Sequence, residues 1–442
     1  MIVGASVRRL SAVLWACLSN TADDGADEQY RTVGRHSLVG KGGSVEAERK
    51  PTGAVIPLGP TWSQFTRLPN WSSRWQQSFP FSAPTGTWAF SGRVALYHGV
   101  ATLNLPAQST ILVPAYHQGV EIDALLAAGY ALRYYRVDEH LRIDLADVEQ
   151  RLDDTVSALY VTHYFGFPQP LEPIRRLCES RRLKLIEDCA LSLFSRDDRT
   201  WLGSVGDLAI FSVYKTLPLP HGGFVVTKSE RPTRALPPAP RASTFVQMGD
   251  LLQQGLRTSG WGQFEAWALR TSQQFTKAIR WNRRQTICSG SDWDPRMLGY
   301  GVSPWVARLM RLMDPAVVVA RRRMNYMRLA SRLRSHVTCP FPDLPAGTCP
   351  LFFPVIVPER RLFQQDLELL GVQSGNWWEV SHPTCPPELT HEMAAWRHDC
   401  LELPIHQELS AAHIDRIAAA VLTVLARRAH GDDRRPVASE AV

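Results

Sequence analysis

Among its eight cysteines, at positions 17, 178, 189, 288, 339, 349, 385 and 400, the sequence has no CxxC pair. That excludes a zinc ribbon or a dithiol redox motif and leaves no metal site to expect. Thiols scattered in this way fit a reduced, cytoplasmic protein. No apolar run reaches 18 residues, so no membrane-spanning helix is expected. There is no long run of lysine and arginine either. The net charge of +7 is spread along the chain, as on a solvated surface, and no nucleic-acid-binding motif accompanies it. Internal repeats are also missing. What remains is an ordinary globular composition, 45% hydrophobic and 21% charged over 442 residues, enough for two or three domains and a large core.

The chain begins with Arg8-Arg9 and a short apolar stretch, Leu10 to Leu18, broken by Ser11. The stretch is too short and too interrupted for a convincing signal peptide. From Asn20 to Gly53 no periodic apolar face exists, so residues 1–55 read as an extension or linker. From Pro84 to Thr227 strand and helix patterns alternate. Strands are expected at Thr110–Val113, Tyr130–Val137, Ser157–Thr162, Leu183–Ile186, Leu208–Ser212 and Phe224–Thr227, with helices at Val120–Ala128, Leu145–Leu152 and Leu171–Arg182. Such alternation predicts an α/β fold, a mostly parallel sheet flanked by helices, with ligands at the carboxyl ends of the strands. Residues 245–285 read as helix, and so does Val306–Leu333 with an interruption at Pro315. A strand at Leu351–Val357 and helices at Arg360–Leu370 and His413–Arg427 complete a smaller α+β domain. The expected division is a large domain over 56–300, a small C-terminal domain over 301–429 and a polar tail over 430–442.

The chemistry rests on two residues. Asp188 closes the apolar strand ending Ile186-Glu187-Asp188, and Lys215 follows 27 residues later in Phe211-Ser212-Val213-Tyr214-Lys215. A strand-end carboxylate and a nearby lysine are what a pyridoxal 5'-phosphate (PLP) enzyme requires. The lysine forms the Schiff base and the acid holds the pyridinium proton. Glu187 should face away from Asp188, because side chains alternate along a strand. Ser91-Gly92-Arg93 precedes a helical pattern, and free amides at a helix start attract a phosphate dianion. Pro114-Ala115-Tyr116-His117-Gln118 and Thr162-His163-Tyr164-Phe165-Gly166 both follow strand ends. Tyr116 and His163 have core readings beside their cofactor readings.

Taken together, these stretches resemble the DegT/StrS-type aminotransferases, PLP enzymes of the aspartate aminotransferase fold (fold type I), over about Pro57 to Leu425. Gly203-Ser204-Val205-Gly206-Asp207, Arg321-Arg322-Arg323-Met324-Asn325-Tyr326 and Leu403-Pro404-Ile405-His406 match further family segments. The resemblance implies a seven-stranded sheet. It implies that Ser91, Gly92, Arg93 and Ser212 hold the phosphate, that His117 and His163 lie near the ring, and that Asp188 and Lys215 are catalytic. It also implies a homodimer with shared active sites, a keto nucleotide-sugar acceptor and glutamate as amino donor. Trp377-Trp378-Glu379 and His382 are placed by it either against the sugar or in the core.

The chain departs from the family in several places. Gln118 stands where an aromatic residue usually stacks on the ring. Leu191 stands where Gln or His usually meets the phenolic oxygen. The loop before Lys215 is shorter, and His221 replaces a common Glu. Two alternatives follow. One is a PLP-dependent sugar dehydratase, against which Lys215 argues, since such relatives often carry His there. The other is a non-catalytic PLP-fold regulator or partner protein.

Overall fold

A computed structural model describes residues 55–61, 74–230, 233–259, 294–376 and 378–429. In chain order the elements are β1 (Thr87–Ala89), α1 (Gly92–Val100), β2 (Thr110–Pro114), α2 (Val120–Ala127), β3 (Ala131–Tyr135), α3 (Leu145–Gln150), β4 (Val156–Thr162), α4 (Leu171–Arg181), β5 (Lys184–Asp188), a small hairpin of β6 (Arg196–Asp197) and β7 (Thr200–Trp201), β8 (Leu208–Ser212), α5 (Val213–Thr216) and β9 (Gly223–Thr227). There follow α6 (Arg241–Ser259), α7 (Pro304–Met310), α8 (Pro315–Leu333), β10 (Phe353–Ile356), α9 (Arg360–Leu369), α10 (Pro387–Glu392), α11 (Ala394–Asp399), β11 (Cys400–Leu403) and α12 (Ala411–Ala429).

Seven strands form one sheet in the order β1-β9-β8-β5-β4-β2-β3. All neighbouring pairs are parallel except those made by β9, which runs antiparallel to β1 and to β8. The strand sequences explain this. β2 (TILVP) and β8 (LAIFS) are buried at every position, the near-continuous apolar pattern of a sheet covered on both faces. Helix α1 packs across β8 and β9 and against α2. The mostly parallel seven-stranded α/β sheet expected from the sequence is therefore present.

The expected helix over 245–285 is found as α6 up to Ser259; its remainder lies outside the described residues, as do 1–54 and 430–442. Pro315, read as a break, is the first residue of α8. Asp314 caps it by accepting the Ala316 N–H at 3.0 Å, the place where a missing proline N–H costs nothing. Towards the C-terminus β10 and β11 form a two-stranded antiparallel ribbon, and α12 packs on α8 and α9. Among the described residues no helix is long and apolar enough to cross a membrane.

Candidate active site

Thr162, Asp188 and Ile210 lie side by side on β4, β5 and β8. The carboxyl ends of these strands therefore bring Asp188 beside β8, whose last residue is Ser212 and whose continuation, α5, carries Lys215. Asp188 is 4% exposed. One carboxyl oxygen accepts the Tyr160 hydroxyl and the other the Ala190 N–H, both at 2.8 Å. Burial pushes its pKa up. The Ala190 and Tyr160 hydrogen bonds and the positive charge of Lys215 oppose that rise. The acid and the lysine thus act on each other electrostatically.

Glu187, one residue earlier, has the opposite fate. Its oxygens accept backbone N–H groups of Gly203, Val205 and Gly206 and meet His163 Nε2 at 3.0 Å. Burial opposes ionisation, but the His163 hydrogen bond, with the amides, holds its pKa below the usual range. Glu187 fixes the turn into β8. Cys189 approaches this pair closely enough for a metal-like triad, yet the carboxylate is already bound by these four donors.

A phosphate-sized anion has a matching cradle. Ser91 is the N-cap of α1 but does not cap it with its side chain; its hydroxyl lies 3.9 Å from the Met297 sulfur. Ser212 lies beside it. A Cβ on Gly92 would stand 3.3 Å from the Ser212 Cβ, and one on Gly223 would overlap the Ser91 carbonyl. These two glycines let the start of α1, the end of β8 and the start of β9 meet. Arg93 is buried in the same turn. First-turn amides, the helix dipole and two serine hydroxyls suit an anion. Together with Asp188 and Lys215 they fit the donor set that PLP needs.

The ring nitrogens of His117 and His163 are both taken by protein partners. His117 uses Nδ1 on the Pro114 carbonyl at 3.1 Å and Nε2 on the His382 N–H at 3.0 Å. Burial drops its pKa to about 3, so its ring is neutral. His163 Nδ1 accepts the Gln169 N–H at 3.1 Å, which leaves Nε2 to donate to Glu187. Tyr116 lies in the core against Trp378, Tyr164 and Trp396. Trp378 is accordingly a packing residue, Glu379 pairs with Arg360 and Arg361, and Trp377 lies outside the described residues. His382 meets Asp123 at 3.3 Å. His221 is buried between Gln247 (2.8 Å) and the Ser303 N–H (3.0 Å), and Leu191 belongs to the core.

The structure adds a residue that the motifs did not mark. Glu121, in the first turn of α2, accepts the Gln118 N–H at 2.9 Å. Burial and the charge of Asp188 push its pKa up, while Lys215 pulls it down. It is thus a second carboxyl of the same site. In the sequence Glu121 reads only as an acid in the first turn of a helix whose N-cap is Gly119, an ordinary response to the helix dipole.

The DegT/DnrJ/EryC1/StrS aminotransferase family model matches residues 87–237, so the family resemblance holds across the site. A GDP-perosamine synthase from Escherichia coli O157:H7 is 29% identical over 143 residues, 32% of this chain and 39% of the relative. The chain thus spans about two fifths of that relative's length. A putative sugar aminotransferase from Streptococcus pneumoniae, solved in its PLP form, superposes with a TM-score of 0.59 at 15% identity, covering 84% of this chain and 99% of that one. A GDP-4-keto-6-deoxymannose-3-dehydratase mutant with bound GDP-perosamine gives 0.57 at 16% identity, covering 79% and 91%. These likenesses establish the fold.

Proposed function

We propose, taking residues 87–237 as a segment of the DegT/DnrJ/EryC1/StrS aminotransferase family, that the protein is a PLP-dependent aminotransferase that moves an amino group from an amino acid, glutamate foremost, to a keto nucleotide-sugar. The observation that carries the reading is the pairing of Asp188 and Lys215 at the carboxyl ends of β5 and β8, beside the start of α1. In this reading Ser91, Gly92, Arg93 and Ser212 hold the phosphate. Asp188, with Tyr160 bracing one oxygen, holds the proton on the ring nitrogen. PLP supplies an electron sink for the amine-bearing carbon. Lys215 would anchor the cofactor through its amine and, once that amine is released, would move a proton on and off that carbon. The proposal includes a homodimer with shared sites, a cytoplasmic location, and a large and a small domain meeting near residue 300.

Purified protein mixed with PLP should yield a borohydride-trapped adduct on Lys215, found by peptide mass. Lys215→Ala should abolish it; an adduct that persists in the variant would exclude this lysine. A screen of keto nucleotide-sugars with glutamate then identifies the acceptor. A non-catalytic PLP-fold protein is the second reading, favoured by buried Leu191 and by Gln118 in place of an aromatic residue. A spectral change of the bound cofactor on adding glutamate excludes it.

A further inference from the structure

Arg322 is 1% exposed, and the hydrogen bonds of its guanidinium run to neutral oxygens. Nε donates to Gln407 Oε1 at 2.8 Å. Nη1 donates to the carbonyls of Leu351 at 2.8 Å and Pro350 at 3.3 Å, and Nη2 to the Thr216 carbonyl at 2.9 Å. Burial without a carboxylate in the fork brings its pKa down to about 10. Holding a charge this way is expensive, so what it grips matters. Thr216 ends the single turn α5, and Lys215 immediately precedes it. The same carbonyl also receives Gln407 Nε2 at 3.1 Å.

Gln407 is itself anchored. Asn325, one turn along α8 from Arg322, donates to the carbonyls of Ile405 and His406 at 3.2 and 3.0 Å. His406 reaches the Pro57 carbonyl at 3.2 Å, and Glu408 accepts the Thr61 N–H and hydroxyl. The run 405–409 is therefore pinned between α8 and the segment 57–61, and it presents Gln407 to the lysine turn.

We propose that Arg322 and Gln407 are positioning residues for Lys215: they hold the Thr216 carbonyl in a two-donor clamp and so fix the direction from which the lysine amine faces Asp188. The proposal rests on the PLP reading, in which a small displacement of the amine is costly. It assigns to the C-terminal elements a part in the chemistry beyond packing.

The test compares wild type with Gln407→Met, which keeps side-chain length and removes one donor to Thr216, and with Arg322→Met. Total bound PLP, the rate of borohydride trapping on Lys215, and the pH midpoint of the PLP–lysine absorbance are measured. In the variants bound PLP should stay near wild type, because the phosphate cradle is untouched. Trapping should slow at least about threefold and the pH midpoint should move. Unchanged trapping and midpoint would overturn the clamp. Should Arg322→Met unfold, Gln407→Met carries the same decision. Amide hydrogen exchange without PLP separates this proposal from the one beneath it. Faster exchange confined to 213–217, with 184–188 unaltered, supports the clamp even if wild type forms no adduct on Lys215, a result that would defeat the aminotransferase reading alone. Equal exchange at 213–217 in wild type and variant would overturn it.

Discussion

Two buried carboxyls share one lysine at this site, and their environments separate their tasks. Asp188 has a side-chain hydroxyl and a backbone N–H on its two oxygens; Glu121 is held by backbone N–H groups alone, those of Gln118 and of Glu121 itself. Asp188→Asn should leave PLP bound through the phosphate cradle. It should slow the half-reaction with an amino donor by on the order of 10²–10³-fold, as loss of one preorganised electrostatic partner does. A rate within a few fold of wild type, by stopped-flow absorbance, would remove Asp188 from the mechanism. Glu121 is testable through stability without cofactor. Its folded pKa lies above its unfolded value, so its favourable contribution is complete below about 4.5 and is lost as pH rises through the folded value. Glu121→Gln keeps an acceptor for Gln118 and has no charge to bury. Its advantage over wild type in urea unfolding should therefore grow from pH 4.5 to pH 8. An advantage of equal size at both ends would show that the carboxyl is not strained by burial.

At the scale of elements, the site depends on how closely α1 approaches the ends of β8 and β9. Gly223→Ala would drive a methyl into the Ser91 carbonyl. Overpacking of this kind costs about 1–3 kcal/mol, and here it also displaces the cradle, so weaker PLP binding should accompany a lower Tm. Gly299→Ala, where nothing stands within 4 Å, is the control and should be near neutral in both. Equal behaviour of the two variants would mean that the approach at Gly223 is not tight. The strands bearing this site were legible in the sequence because buried parallel strands are continuous apolar runs. Leu208–Ser212 has the limits expected, and Asp188 and Ser212 fall at strand ends as expected. The destinations of the polar side chains were not legible. His117 and His163 follow strand ends like ligands, yet each spends one ring nitrogen on its own loop and the other on a partner remote in sequence. Pattern gives the position of a histidine; only tertiary contacts give its direction. Glu121 escaped notice for the same reason.

Across the whole molecule, the seams between the strand-end loops and the later elements are closed by neutral histidines. His117 ties the loop after β2 to residue 382, His221 ties the loop after Lys215 to Ser303 and Gln247, and His406 ties the C-terminal run to Pro57. Burial lowers their pKa values to about 3, about 4 and about 3. A depressed folded value gives stability that is complete above the unfolded value near 6.5 and lost as pH falls towards the folded one. In that window the unfolded chain binds protons that the folded chain refuses, at about 1.4 kcal/mol per pH unit for each histidine. Asp188 and Glu121 act with the opposite sign above about 4. Glu187, whose folded value is lowered, acts with the same sign as the histidines below about 4.5. With three histidines set against two carboxyls, unfolding free energy should fall between pH 6.5 and 5. His406→Asn should make that fall shallower by about 1.4 kcal/mol per pH unit. Urea midpoints at pH 7.5, 6.5, 5.5 and 5 for both proteins decide it. A wild-type curve flat over this range, or a variant curve parallel to it, would show that these rings accept protons in the folded state. The seams would then be looser than the hydrogen bonds across them imply.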